Sequence, residues 1–123
     1  MSFKLEETTI ADVHDAYRTG DLTCTALVAG YLARIEAYDR SGPTLNSIIT
    51  VNPKVGDEAA AIDADYAKSG KFLGPLHGIP IVVKDQAETK GIMTTFGSIA
   101  MDGYVPEKDA TAITKLREAG AII

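Results

Sequence analysis

The feature that most constrains the fold of this chain is an unbroken apolar run at residues 79–83 (IPIVV), which ends in Lys84 and Asp85. The run does not alternate apolar with polar residues, as a strand with one solvated face does. A continuous apolar run this short is typical of a strand that is covered on both faces. The sequence therefore predicts an α/β fold, in which helices flank a sheet.

Four helices are predicted around this run. Thr9 and Gly20 bracket the first, over residues 10–19, with Asp12 completing a capping signal. A second starts after Thr23 and ends at residues 41–43, with a stripe of apolar and aromatic side chains at helical spacing: Leu27, Val28, Tyr31, Leu32, Ile35 and Tyr38. Asn52-Pro53 opens the third, which Gly70 closes. Asp109 is the expected N-cap of the fourth, over residues 110–119.

Two further segments are predicted as strands. Residues 45–51 (LNSIITV) are rich in β-branched side chains. Residues 121–123 are apolar and follow the fourth helix, so that residues 79–123 form a strand–helix–strand unit. Because three residues are fewer than a usual strand has, we expect the chain to be a fragment of a longer domain. The alternative is a short strand that happens to end the chain.

Charge and cysteine content exclude several classes of function. The net charge of −5 argues against nucleic acid or an anionic membrane as the main partner. The single cysteine, Cys24, forms no intrachain disulfide and no cysteine metal cluster, which fits a reducing, cytoplasmic location. No apolar run approaches the length of a membrane helix. We therefore expect no nucleic-acid partner, no membrane partner and no metal.

Lys84 lies where a parallel strand would end, and two interpretations compete for it. A lysine at this place can pack its stem and extend its ammonium group into water. Alternatively, Lys84 is partly buried and acts as a base, because burial disfavours the charged form of an amine. Ligands of open α/β sheets bind beyond the carboxyl ends of the strands, which favours a functional residue there.

The residues around Lys84 resemble the amidase signature family. The resemblance is carried by residues 74–85 (GPLHGIPIVVKD), by residues 94–98 (TTFGS) and by residues 109–121, and it is collinear from about residue 8 to the end. It implies the N-terminal part of an α/β/α amidase-signature fold, with helices flanking a mixed sheet that is incomplete in this chain. Residues 1–123 would then be the N-terminal portion of a single amidase domain.

The resemblance also implies a catalytic triad of serine, a serine with a cis peptide bond, and lysine. In that scheme Lys84 takes the proton that the cis serine relays from the nucleophilic serine, and an acyl-enzyme forms. Both serine segments of the family lie downstream and are absent here. Residues 97–99 (GSI) share letters with the nucleophile segment but lack its flanking glycine and arginine, so Ser98 is interpreted as a loop residue near the site.

Further residues near Lys84 are candidates for the pocket loop. Asp85 either orients Lys84 or its loop, or has only a surface role. Gln86 departs from the family pattern after the Lys-Asp pair, which leaves the substrate preference open. The other expected contributors to this loop are Thr95, Gly97 and Ser98.

Most remaining polar and aromatic residues are predicted to be structural. His77 is expected to form a structural hydrogen bond and His14 to be solvated. Tyr31, Tyr38 and Tyr66 are expected to pack. The acidic groups of the third helix are expected to form a solvated face rather than a metal site: Asp57, Glu58, Asp63 and Asp65.

The resemblance implies that the intact protein is an amidase that hydrolyses a small carboxamide without metal or organic cofactor. Its partners would be the substrate and the remainder of the amidase domain, with a homodimer of the intact enzyme as an open question. Two alternatives stay open: an amidotransferase A-type subunit, and a truncated product or pseudoenzyme that acts only by binding. Residues 1–123 alone are predicted to be inactive.

Overall fold

The computed structural model describes residues 3–123, and helices dominate this part of the chain. The α-helices are α1 (Ile10–Thr19), α2 (Cys24–Arg34), α3 (Val55–Ser69) and α4 (Thr111–Glu118). A π-helical turn at Ile35–Arg40 continues α2, and a short 3₁₀ turn lies at Ile99–Met101. Within residues 3–123, every helix is too short or too polar to span a membrane.

The signals in the sequence hold at both ends of α1, at the start of α2 and at the end of α3. The Thr9 hydroxyl accepts from the Asp12 N–H, and the Asp12 carboxylate accepts from the Thr9 N–H, which forms the predicted capping box. Thr23 caps α2 through the Ala26 N–H. Gly20 and Gly70 end α1 and α3 with φ of +78° and +63°, a conformation that glycine adopts without strain. The third helix begins at Val55, two residues later than Pro53.

The π-helical turn overturns one packing prediction. It places an extra residue in the turn, so the apolar stripe of α2 loses its phase before Tyr38. Tyr38 is exposed, and the Arg34 guanidinium lies 5.1 Å from the centre of its ring. Tyr31 is partly buried against the core, as predicted.

The strand predicted at residues 45–51 does not form. The Asp39 carboxylate accepts hydrogen bonds from the Ser47 and Ile48 N–H groups, and this fixes the backbone as a loop. Thr44 and Asn46 have positive φ of +53° and +51°, which a strand does not accommodate. Local β-propensity is thus overridden by a side chain from the preceding helical turn.

The predicted strand–helix–strand pairing is present as a short parallel contact. Pro80 and Ile122 form a parallel bridge, and the Ile81 N–H donates to the Ile122 carbonyl at 2.7 Å. The Gly78 N–H donates to the Gly120 carbonyl at 2.9 Å. The expected burial on both faces is wrong for this chain, because Val82 is 74% exposed. The described residues lack the neighbours that would cover that face.

The fourth helix starts without the predicted cap. Ala110 occupies the N-cap position of α4, and no side chain bonds there. The Asp109 carboxylate instead accepts from the Lys90 N–H at 2.7 Å and pairs with Arg117 at 3.2 Å. Asp109 therefore connects the loop after Lys84 to the helix rather than capping it.

The core lies between the first three helices and the paired segments. α2 packs on α3, and the most buried side chains at the centre include Leu27, Ala59 and Ile122. Since Ile122 belongs to the same cluster as α1 and α2 side chains, the segment that it pairs with, residues 76–81, is seated on that core.

Candidate functional site

The start of the segment that leads to Lys84 is held by side chains of α1 and α2. The Tyr17 hydroxyl donates to the Gly78 carbonyl at 2.9 Å, and the Cys24 thiol donates to the same oxygen at 3.5 Å. The His14 Nε2 lies 3.0 Å from the His77 carbonyl, to which it donates. The prediction that His14 is solvated is wrong, because the buried face of α1 includes it and its ring packs 4.6 Å from that of Phe72.

His77 has the structural role that the sequence predicted. Its Nδ1 accepts from the Leu73 N–H at 3.2 Å, so this nitrogen carries no proton. Its ring stacks on Phe72 with centroids 4.5 Å apart, and the residue is buried. Burial, with a smaller contribution from nearby His14, lowers the pKa of His77, which keeps the ring neutral.

Burial also perturbs the two side chains that contact Gly78. It raises the pKa of the Cys24 thiol to about 12, and it raises the pKa of the Tyr17 hydroxyl further above its ordinary value. Both groups therefore stay protonated and serve as hydrogen-bond donors to the Gly78 carbonyl. They fix the backbone before the apolar run.

Lys84 follows the apolar run at the point where the backbone turns. The Lys84 carbonyl accepts from the Ala87 N–H at 2.9 Å, which closes the turn that ends the extended segment. Its side chain is exposed, so the partial burial expected for a base is not supplied by residues 3–123. Within that part of the chain, Lys84 and Asp85 form no ion pair within 4 Å.

Asp85 organises the loop that the sequence singled out. Its Oδ1 accepts from the Thr95 N–H at 3.0 Å, and its Oδ2 accepts from the Thr95 hydroxyl and from the Gly97 N–H at 3.2 Å. Its own carbonyl accepts from the Phe96 N–H at 2.9 Å. The bonds from Thr95, with smaller contributions from Gly97 and Lys84, hold the pKa of Asp85 below its usual value.

This loop has an unusual backbone at Phe96. Phe96 and Gly97 have φ of +56° and +69°, in the left-handed region. Gly97 adopts it freely, whereas for a residue with a Cβ it costs about 1–2 kcal/mol. The hydrogen bonds from three successive backbone N–H groups to Asp85 offset that cost.

The structure brings together some of the predicted site residues and separates others. Asp85, Thr95 and Gly97 form one hydrogen-bonded unit beside Lys84. Ser98 follows the unit, is exposed, and caps the 3₁₀ turn through the Ala100 N–H at 3.3 Å. Gln86 is exposed. The assignment of catalytic and pocket roles to these residues stays a prediction.

Two acidic residues of α3 are not the solvated groups that the sequence suggested. The Asp63 carboxylate accepts from the Cys24 and Thr25 N–H groups at 2.7 and 2.9 Å, which satisfies the start of α2. Glu58 pairs with Arg117 of α4 at 3.4 Å. Sequence reasoning missed both because the partners are distant along the chain. Asp57 and Asp65 are exposed, as predicted.

Neither of two surface grooves is the substrate pocket expected beside Lys84. A groove of about 230 Å³ lies against Tyr17, Asp63 and His77, and one of about 80 Å³ lies against Leu27 and Ile79. Among residues 3–123, no three acidic, histidine or cysteine side chains form a group that could hold a metal ion. The expectation of chemistry without a metal stays a prediction.

Comparisons with known proteins show which family this chain resembles. Residues 26–123 match the Amidase family model. The chain is 42% identical over 120 residues to the A-type subunit of glutamyl-tRNA(Gln) amidotransferase from Geobacter metallireducens, covering 98% of this chain and 24% of that protein. It superposes on the peptide amidase PAM, solved with the competitive inhibitor chymostatin, with a TM-score of 0.91 and 41% identity. That match covers 98% of this chain and 24% of the other.

A second solved structure matches the chain with similar coverage and identity. The native peptide amidase from Stenotrophomonas maltophilia matches with a TM-score of 0.89 and 41% identity, over 95% of this chain and 24% of that one. The chain thus spans about a quarter of the length of the relatives it matches. Its α/β fold is confirmed as part of the amidase-signature fold, although little strand forms within the described residues. On these matches, the chain belongs to the amidase family.

Proposed function

We propose that the protein carrying this chain hydrolyses a linear carboxamide to an acid and an amine or ammonia, with Lys84 as the base. The observation that carries the proposal is the position of Lys84. It lies at the turn after an extended segment that is seated on the core and paired in parallel with Ile122. The Amidase family match includes this region, and ligands of α/β folds bind at such strand ends.

The proposed chemistry uses Lys84 as a neutral amine. Lys84 accepts a proton from a serine held by a cis peptide bond, which in turn accepts the proton of a nucleophilic serine. The activated hydroxyl attacks the amide carbon, and the same relay returns the proton to the leaving amine. Water then releases the acid from the acyl-enzyme. Both serines belong to segments outside this sequence, and a neutral Lys84 requires those segments to cover its exposed side chain.

The substrate class that we propose is a small carboxamide such as a peptide amide. Two solved structures that the chain resembles are peptide amidases. Gln86 and Phe96 lie on the turn and loop beside Lys84, where they can contribute to substrate preference.

The decisive experiment replaces Lys84 in the full-length protein that carries this chain. Lys84→Ala and Lys84→Arg are assayed for ammonia release from a panel of peptide amides, with Lys68→Arg on the exposed surface of α3 as the matched control. Both Lys84 variants should lose most activity with the fold retained, because a guanidinium keeps its proton at any working pH. Activity above about a tenth of the parent's in Lys84→Arg would show that Lys84 is not the base.

The second candidate is an amidotransferase A-type subunit. It is favoured by the match to the corresponding component of glutamyl-tRNA(Gln) amidotransferase. Such a protein would need partner subunits and would pass ammonia to a misacylated tRNA rather than hydrolyse peptide amides. Assaying peptide amides and a misacylated tRNA in parallel, with and without copurifying partner proteins, separates the two candidates.

A third candidate is a non-catalytic protein that acts only by binding. A serine-directed fluorophosphonate probe discriminates it, since a full-length amidase is labelled at a serine outside this sequence while residues 1–123 alone stay unlabelled. Stoichiometric labelling of Ser98 would contradict the assignment of the nucleophile to another segment. Homodimerisation and a cytoplasmic location are also proposals, which sedimentation and cell fractionation test.

A further inference from the structure

The hydrogen bonds of Asp85 connect two parts of the chain whose relative position must be fixed for the proposed chemistry. One is the turn of Lys84, and the other is the loop of Thr95, Phe96 and Gly97. Both carboxylate oxygens and the main-chain carbonyl of Asp85 accept hydrogen bonds from this loop. Every residue of the loop donates at least one of these bonds.

The geometry argues against a mere surface role for Asp85. Among residues 3–123, the Asp85 carboxylate forms no ion pair with Lys84. The side chain instead turns towards Thr95, which is buried. The Thr95 hydroxyl also accepts from the Gly97 N–H at 3.2 Å, so the contact is a closed network rather than a single bond.

The loop needs such an anchor because of its backbone. Phe96 has positive φ although it carries a Cβ, and conformations of this kind persist only where surrounding contacts fix them. Its N–H donates to the Asp85 carbonyl, one residue after Lys84. Movement of the loop is therefore transmitted to the backbone that directs the lysine side chain.

We propose that Asp85 is a positioning residue, which with Thr95 locks the loop to the strand end and thereby sets the direction of Lys84 for proton transfer. The inference rests on the proposed function, in which Lys84 is the base. It assigns to Asp85 no proton transfer and no contact with substrate. Thr95 is its obligatory partner, because the Thr95 hydroxyl donates the side-chain hydrogen bond to the Asp85 carboxylate.

The test uses the full-length protein, four single variants and one double variant. Asp85→Asn keeps the shape but replaces one acceptor oxygen with a donor, and Thr95→Val removes the hydroxyl at constant volume. Thr95→Ser retains the hydroxyl and serves as the conservative rescue. Asp65→Asn, at an exposed position of α3, is the matched control. The kcat, the KM and the melting temperature are measured for each with a peptide amide.

We expect kcat to fall by between about tenfold and about a hundredfold in Asp85→Asn and Thr95→Val, with KM nearly unchanged, as for misplacement of a reacting group. Thr95→Ser and Asp65→Asn should keep kcat near that of the parent. The double variant Asp85→Asn/Thr95→Val should be no worse than the poorer single variant, because both remove one shared contact.

Three results would overturn the inference. The first is kcat of Asp85→Asn within about twofold of the parent's, since a lost positioning contact costs more. The second is an unchanged kcat in Thr95→Val. This result refutes the positioning role even where Asp85→Asn does not fold. The third is a parallel loss of kcat and melting temperature that Thr95→Ser does not rescue. Lys84→Ala separates the two proposals: if it is active, the proposed function fails, whereas an inactive Lys84→Ala with an active Asp85→Asn refutes only the positioning role.

Discussion

Replacing Gly78 by alanine should destabilise the protein far more than the same change at Gly70. The two glycines have nearly the same φ, +67° and +63°. A Cβ at Gly70 meets nothing within 4 Å, whereas a Cβ at Gly78 meets the Tyr17 ring at 3.0 Å and the Cys24 sulfur at 3.2 Å. Both variants incur the left-handed cost of about 1–2 kcal/mol. Only Gly78→Ala adds the cost of crowding a packed interior, about 1–3 kcal/mol.

The expected loss of unfolding free energy is therefore about 2–5 kcal/mol for Gly78→Ala and about 1–2 kcal/mol for Gly70→Ala. Urea unfolding of the full-length protein, followed by circular dichroism, gives both values under one protocol. The difference between the two variants isolates the crowding of Tyr17 and Cys24, because the backbone cost is common to both. Equal losses in the two variants would refute the reasoning that these side chains hold the start of the segment leading to Lys84.

Two further predictions concern the same scaffold. Because the pKa of His77 is lowered in the folded protein, the unfolded chain binds a proton at a higher pH than the folded chain does. The contribution of His77 to the unfolding free energy should therefore be fully present above about pH 6.5 and should fall as the pH drops below that value. The urea midpoint is measured from about pH 7.5 to about pH 5, a range that spans the ordinary histidine pKa. The midpoint should fall less steeply with decreasing pH in His77→Gln than in the parent protein. An identical dependence on pH would exclude His77 as the cause. Asp63→Ala should lower the unfolding free energy by about 1–2 kcal/mol, because the Cys24 and Thr25 N–H groups lose their acceptor. Asp65→Ala on the same helix should change it by less than about 0.5 kcal/mol, and comparable losses at Asp63 and Asp65 would contradict the capping role.

The parts of the fold that depend on neighbouring residues could be predicted from the sequence. The capping box of Thr9 and the glycines that end α1 and α3 act within one helical turn, so their residue types suffice. The strand predicted at residues 45–51 failed because the Asp39 carboxylate captures the Ser47 N–H, a contact that β-propensity does not register.

The parts of the site that depend on distant residues were only partly predictable. The family pattern singled out Lys84 and the loop of Thr95 as candidate site residues, but it did not predict the bonds between Asp85 and that loop. The burial of His14 depends on the carbonyl of His77, and the role of Asp63 depends on the first residues of α2. Such long-range partners leave no periodic signal in the sequence.

The parallel contact between residues 76–81 and the Gly120–Ile122 segment has a consequence for synthesis of the protein on the ribosome. The chain emerges from its N-terminus, so α1, α2 and α3 are available to collapse before Gly120 leaves the exit tunnel. During that interval the N–H groups of Gly78 and Ile81 lack the Gly120 and Ile122 carbonyls that accept from them in the fold, and an unpaired apolar edge is a template for association with other chains. The arrival of Gly120 and Ile122 supplies these carbonyls and ends the exposure of that edge.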